Sequence, residues 1–266
     1  MRSKLMALWI IKRVVKPHFV ARIKVLILRS DLLTKIFDLR YFSINNLDKK
    51  LEQYLNDENG YFVELGANDG VSQSNTLFFE RFRGWKGILI EPYRPNYNEL
   101  IRNRRSVNFF KNAACVGPSY KYPTIQLAYS NLMTSTLGIK SDIEDPMDHA
   151  TKGAEFWGGT PFLFKAPAST LNSILIEANA PKLMDLLCLD VEGVELEILK
   201  GVDHRIYRFR YICVESRQFE LLHSYLAKMN YKFITSLSNH DYLFRSNFSN
   251  PMLKPDFELF TDINLC

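Results

Sequence analysis

From Asn59 onward the apolar and polar positions of the chain follow two alternating rhythms. Continuous apolar runs at Tyr61–Leu65, Gly87–Glu91, Asn108–Cys115, Leu186–Asp190 and Tyr211–Glu215 have the length and content of strands buried on both faces. Between them, Ser74–Phe82, Asn96–Asn103, Leu171–Ala178, Val194–Lys200 and Phe219–Met229 space their apolar residues three and four apart, as helices do. Strand and helix in alternation predict an α/β fold with a doubly wound, mostly parallel sheet. Two further runs, Tyr231–Thr235 and Tyr242–Arg245, flank the turn-rich Ser238-Asn-His-Asp241 and predict a C-terminal antiparallel hairpin.

Two regions break the rhythm. Residues 117–168 hold Pro118, Pro123, Pro146, Pro161 and Pro167 with Gly153, Gly158 and Gly159, and show no long periodic segment. They predict an irregular insertion within a domain spanning 59–266. The aromatics Phe156, Trp157, Phe162 and Phe164 argue against disorder and for a substrate-facing lid. Residues 1–58 predict a basic and apolar helical arm, clustered up to about Ser43 and interrupted at Pro17.

Charge sharpens that division. The chain carries +5 overall, but residues 1–29 contain eight bases and no acid, which leaves −3 for the rest. A slightly acidic domain argues against a nucleic-acid partner. The arm, with Trp9 and its leucines among bases, suits an anionic membrane surface; packing on the domain or on a second subunit as a homodimer is the alternative. No run of about 18 apolar residues occurs, so no membrane-spanning helix is predicted. Cys115, Cys188, Cys213 and Cys266 show no metal-ligand spacing; the first three fall in or at the end of apolar runs, as buried reduced thiols do. The expected compartment is cytoplasmic, with peripheral contact at the inner face of the membrane if the arm binds there.

Candidate chemistry lies at the ends of the strand-like runs. Tyr61–Leu65 carries Glu64 and enters the loop Gly66-Ala67-Asn68-Asp69-Gly70, whose glycines permit close backbone approach to a ligand. Ile88–Ile90 leads to Glu91, 21 residues after Gly70, near the spacing at which an acid receives ribose hydroxyls. Leu186–Leu189 leads to Asp190 and Glu192-Gly193. Parallel strands that each end in an acid line those acids along one crevice, where open α/β sheets bind ligands.

The pair Glu64-Leu-Gly-Ala-Asn-Asp-Gly70 and Leu189-Asp-Val-Glu-Gly-Val-Glu-Leu-Glu-Ile-Leu-Lys-Gly201 resembles the FkbM-type family of S-adenosylmethionine-dependent methyltransferases, over roughly Asn59 to Arg245. The resemblance implies a Rossmann-like methyltransferase sheet and S-adenosylmethionine as cofactor. It also implies O-methylation of a hydroxyl on a sugar, glycan or other secondary metabolite, as in polysaccharide biosynthesis. Gly66, Ala67, Asn68, Asp69 and Gly70 would then pass beneath the methionine moiety with Glu64 at their base, and Asn112 and Ala113 would contact adenine. Asn68 stands where many methyltransferases carry a glycine, and the resembling family carries Asn there.

Asp190 and Glu192 are the candidates for taking or orienting the acceptor proton; Glu192 alternatively holds the loop before Val194. Among the five histidines, His149 in the insertion and His240 in the hairpin turn could reach an acceptor. Two acids without a third patterned ligand predict no metal site. A nicotinamide-dependent oxidoreductase is the alternative enzyme, but Gly66 and Gly70 do not extend to GxGxxG. A catalytically silent scaffold of the same fold is the alternative of another class.

Overall fold

The computed structural model describes residues 40–157 and 159–247; the basic run 1–29 and Cys266 lie outside them. In chain order the elements are α1 (Leu47–Glu52), β1 (Tyr61–Leu65), α2 (Leu77–Arg83), β2 (Lys86–Ile90), α3 (Arg94–Asn103), β3 (Phe109–Lys111), β4 (Ala114–Cys115), β5 (Thr124–Tyr129), β6 (Ser135–Thr136), α4 (Pro146–Trp157), β7 (Phe162–Ser169), α5 (Leu171–Glu177), β8 (Leu183–Leu189), α6 (Glu195–Lys200), β9 (Arg208–Glu215), α7 (Phe219–Lys228), β10 (Tyr231–Ser236) and β11 (Asp241–Ser246).

The main sheet has the order β10-β11-β9-β8-β1-β2-β3. Its five strands from β9 to β3 are parallel, and β10–β11 adds the antiparallel hairpin predicted from the sequence. Alternation along each strand sorts the core into two layers, because successive side chains leave opposite faces. Val63, Leu65, Ile88, Ile90, Leu187, Leu189, Ile212 and Val214 pack with α5, α6 and α7. Phe62, Leu89, Leu186, Cys188, Tyr211 and Cys213 pack with α1, α2 and α3.

The second layer also takes Phe42, Leu47, Leu51 and Leu55, each no more than 2% exposed. Residues 42–55 are therefore part of the domain's core, although the sequence reading assigns them to an arm ending at 58. Asp48 anchors this start: its carboxylate accepts from the Phe42 and Ser43 backbone amides and from the Ser43 hydroxyl.

The insertion is not irregular. Residues 117–168 build most of a second sheet, order β4-β7-β5-β6, together with the twelve-residue helix α4. The prolines read as breakers sit where elements tolerate them. Pro146 opens α4, a position whose N–H has no helical partner. Pro167 lies inside β7 opposite Thr124, while the next amide, Ala168, donates to the Pro123 carbonyl. The run Asn108–Cys115 is likewise not one strand. It splits between β3 in the main sheet and β4 in the second, because the chain changes sheets at Asn112–Ala113. No helix among the described residues is long and apolar enough to cross a membrane.

Candidate active site

The order of strands along the main sheet reverses direction between β1 and β8: β2 and β3 extend to one side, β8 and β9 to the other. The crevice beyond the carboxyl ends at such a point is where this class of sheet holds ligands. A cavity of about 880 Å³ opens there. That is near the upper end of the roughly 300–1,000 Å³ usual for ligand sites, enough for two reactants side by side. Glu64, Gly66, Asn68, Glu91, Ala113, Asp190, Glu192 and Glu215 line it from the sheet. Facing them are Asn131–Thr134, Thr136 and Phe156 of the insertion, Ile44–Asn46 and Lys50 from before β1, and the hairpin turn Ser238–Asp241 with His240. Lys50 Nζ donates to the Leu237 carbonyl and joins the last two of these walls.

On the β1–β2 side nearly every predicted residue is engaged by the protein itself. Glu64 shares the face of β1 that carries Phe62, the face covered by α2 and α3. Its carboxylate accepts from the Ser74 hydroxyl at 3.1 Å, the Asn75 amide at 2.8 Å and the Thr76 hydroxyl. Arg104 Nη1 lies 3.4 Å away, and the same guanidinium donates to Glu80 at 2.9 Å and to Thr76 Oγ1 at 3.0 Å. Bending to reach Glu64 keeps Ser74–Thr76 out of the helix that the apolar pattern predicts from Ser74, so α2 starts at Leu77.

Gly66 has φ +75°, and a Cβ there would stand 2.1 Å from the Asp190 carbonyl oxygen. The glycine lets β8 close against β1 before any ligand enters. Gly70, φ +78°, fits against Leu100 and Arg104 in the same way. Asp69 accepts from the Val71 and Ser72 amides at 2.9 and 2.7 Å and shapes the loop. Ala67, Asp69 and Gly70 do not line the cavity, and neither does Asn112, expected at adenine. Asn112 Nδ2 donates instead to the Glu91 and Pro92 carbonyls at 2.8 and 2.9 Å and holds the turn after β2.

Glu91 does face the cavity. One carboxylate oxygen accepts from the Tyr93 amide at 2.8 Å, the other from the Asn68 amide at 2.9 Å. Each oxygen keeps a second lone pair, so the carboxylate is fixed in direction with capacity for two ligand hydroxyls. Burial, with Asp69 nearby, raises its pKa to about 7 despite those two bonds.

On the β8–β9 side like charges crowd together. Register pairs Leu189 with Val214, so Asp190 and Glu215 leave adjacent strand ends. The two share a hydrogen bond, and with Glu192 they bring carboxylate oxygens within 4.8 Å of one another. Burial, then Glu215 and Glu192, push the Asp190 carboxyl well above the ordinary range. Burial and Glu192 raise Glu215 as well, while the bond from Asp190 lowers it. Both carboxyls are thus raised, Asp190 the more strongly, and the hydrogen bond between them needs a proton held within the pair.

Arg217 offsets part of this charge, at 3.0 Å from Glu192, 3.4 Å from Glu215 and 3.6 Å from Asp142. His149 on α4 reaches Glu192 at 2.9 Å, behind the cavity wall rather than in it. It is positioned to hold Glu192, which corrects its expected place beside an acceptor. The third acid, Glu215, also makes a trio that a divalent cation would fit, where the sequence pattern predicts no metal. Arg217 stands where such a cation's charge would act. Glu195 completes the motif: its buried carboxylate, raised to about 8 by burial, accepts from the Val191 and Gly193 amides at 3.0 Å.

Sequence reasoning missed Glu215, Arg217, Arg104 and Asn75. Glu215 carried a usable signal, because its strand ends in an acid like β8. Arg104 carries none, since the partners it serves lie 24 and 40 residues away.

The methyltransferase FkbM domain matches residues 64–244. No curated protein sequence matches significantly. Among solved structures, a candidate RNA methyltransferase from Pyrococcus horikoshii is 9% identical with TM-score 0.39, covering 77% of this chain and 83% of its own. A fibrillarin/Nop5p complex gives 13% and 0.37, covering 79% of this chain and 83% of that one. Both scores are too low to bear on substrate or partner.

Proposed function

The chain belongs to the FkbM methyltransferase family, and from that premise we propose that it uses S-adenosylmethionine to methylate a hydroxyl of a sugar, glycan or other secondary metabolite. The observation that carries the reading is the division of one cavity between a buried, two-handed acid at Glu91 and a carboxyl pair at Asp190 and Glu215. Its lining suits a cationic guest. Six acids and one lysine line the cavity, and although Arg104 behind Glu64 and Arg217 behind Glu192 and Glu215 offset part of that charge, the excess of carboxylates favours a cation.

When bound, the cofactor supplies an electrophilic methyl group on a positively charged sulfur. Glu91 would receive its ribose hydroxyls, Ala113 would wall its base, and the loop from Gly66 to Asn68 would run under its amino-acid end. On the other side, Glu215 would accept the proton of the acceptor hydroxyl, leaving that oxygen free to take the methyl group the cofactor supplies. Asp190, the more strongly raised of the pair, would orient Glu215 through the bond they share. This moves the base from Asp190 or Glu192, the candidates the sequence offers, to Glu215. Holding both reactants in line lowers the barrier independently of proton transfer. The polar rim of asparagines at 45, 46, 131 and 239 with exposed Phe156 suits a polyhydroxylated acceptor.

Calorimetry with S-adenosylmethionine and with NAD tests the cofactor. Binding of the first alone is expected, and binding of NAD alone would favour the oxidoreductase. Label transfer from methyl-labelled cofactor to a panel of sugars and glycans tests the acceptor. Tight cofactor binding with no transfer to any hydroxyl compound would favour the silent scaffold.

A further inference from the structure

Among the buried polar atoms of the described residues, Asn75 Oδ1 has no hydrogen-bond partner although its residue lines the cavity and is only 9% exposed. A buried acceptor without a donor is costly, by an amount comparable to a lost hydrogen bond, so such a group in a cavity wall calls for a ligand donor. We propose that Asn75 is a binding residue for the donor's amino-acid end, its Oδ1 accepting from the α-ammonium group. The inference rests on the S-adenosylmethionine reading above.

Three observations fix the place and the chemistry. Position comes first: the Asn75 amide donates to Glu64 Oε1 at 2.8 Å, which holds the residue beside the end of β1. With ribose at Glu91 beyond β2 and the base at Ala113 farther along, the tail of the cofactor extends back across β1, towards Asn75. Rigidity is second. The Ser74 hydroxyl and the Thr76 hydroxyl flank Asn75 and are both tied to Glu64, so the side chain projects from a braced segment. Third is donor–acceptor chemistry: an amide oxygen can only accept, and at that end of the cofactor the α-ammonium is the group that donates.

The test compares two ligands that differ in this end alone. S-adenosylhomocysteine carries the amino-acid group; 5′-methylthioadenosine lacks it. Calorimetry on Asn75→Ala should show about tenfold or greater loss for S-adenosylhomocysteine and little change for methylthioadenosine. Because both ligands are titrated into one sample, a partly unfolded variant scales both and leaves their ratio readable. Asn75→Asp, which keeps only acceptor atoms, should retain S-adenosylhomocysteine affinity. Equal loss for both ligands, no loss for either, or a collapse in Asn75→Asp would overturn the assignment. If the unaltered protein binds neither ligand, the cofactor reading itself fails and takes this proposal with it.

Discussion

The two sides of the cavity solve opposite problems. On the β1–β2 side acids are matched by donors: Glu64 by Ser74, Asn75, Thr76 and Arg104, Asp69 by Val71 and Ser72, Glu91 by Asn68 and Tyr93. On the β8–β9 side acids are matched largely by one another, and burial, then Glu215 and Glu192, push the Asp190 carboxyl well above its ordinary range. The first side is scaffolding that presents one carboxylate in a fixed direction. The second crowds three carboxylates that Arg217 relieves only in part, the place where the proposed reaction moves its proton. A motif dense in polar residues can therefore be mostly self-directed, and a sparse one can carry the reaction.

Gly66→Val would break this contrast most severely. The new side chain meets the Asp190 carbonyl at a backbone angle valine rarely adopts, so a loss on the order of 3 kcal/mol or more is expected. Thermal unfolding followed by circular dichroism measures it; a variant that folds normally yet loses cofactor would return Gly66 to a ligand-clearing role. Next, Glu215→Gln should lower turnover about 10²–10⁴-fold with cofactor affinity kept. Asp190→Asn should cost less and leave the melting temperature about equal, because its amide can still donate to Glu215. The reverse ranking would make Asp190 the base.

Of similar size, but in stability rather than rate, Arg104→Met should cost about 3–5 kcal/mol in urea unfolding. It leaves Glu64 and Glu80 buried without their shared cation. A neutral result would mean that the hydroxyls around Glu64 suffice.

The smaller effects are pH-dependent. Ribose hydroxyls donate to ionised Glu91, so cofactor binding should tighten as pH rises towards about 7, by no more than tenfold per unit, and then level off. Glu91→Gln should flatten that profile. For stability the sign is opposite. Glu91 and Glu195 have folded values of about 7 and about 8, above their unfolded 4.5, so the folded state binds more protons between those limits. Stability should fall as pH rises from about 4.5 to about 8, and Glu195→Gln should soften the upper part of that decline. A melting temperature that climbs through this window would contradict both burial assignments.

The main sheet was legible because its strands are nearly continuous apolar runs whose alternate residues feed two helical layers, a pattern that needs no partner to be seen. The insertion was not, because β4 and β6 are two residues long and gain their pairing only from β7 and β5. Proline added to the confusion: at Pro146 it starts a helix and at Pro167 it sits within a strand. In the site, Glu91 and Asp190 could be read from spacing, since a strand's end fixes where its next residue points. Arg104 and Arg217 could not, for their meaning lies in carboxylates that only folding brings near.

The bond from Lys50 to the Leu237 carbonyl has a practical side for anyone designing a minimal fragment. The matched family region starts at residue 64 and stops at 244, yet Ile44–Asn46 and Lys50 line the cavity and Phe42, Leu47, Leu51 and Leu55 fill the layer beneath β1. A fragment trimmed to the matched borders would lack one wall of the cavity, the first three residues of β1 with Phe62 among them, and the Asp57 carbonyl that accepts from the Trp85 indole. Expression boundaries belong upstream of Phe42, so that the contact between first helix and final hairpin is kept whole.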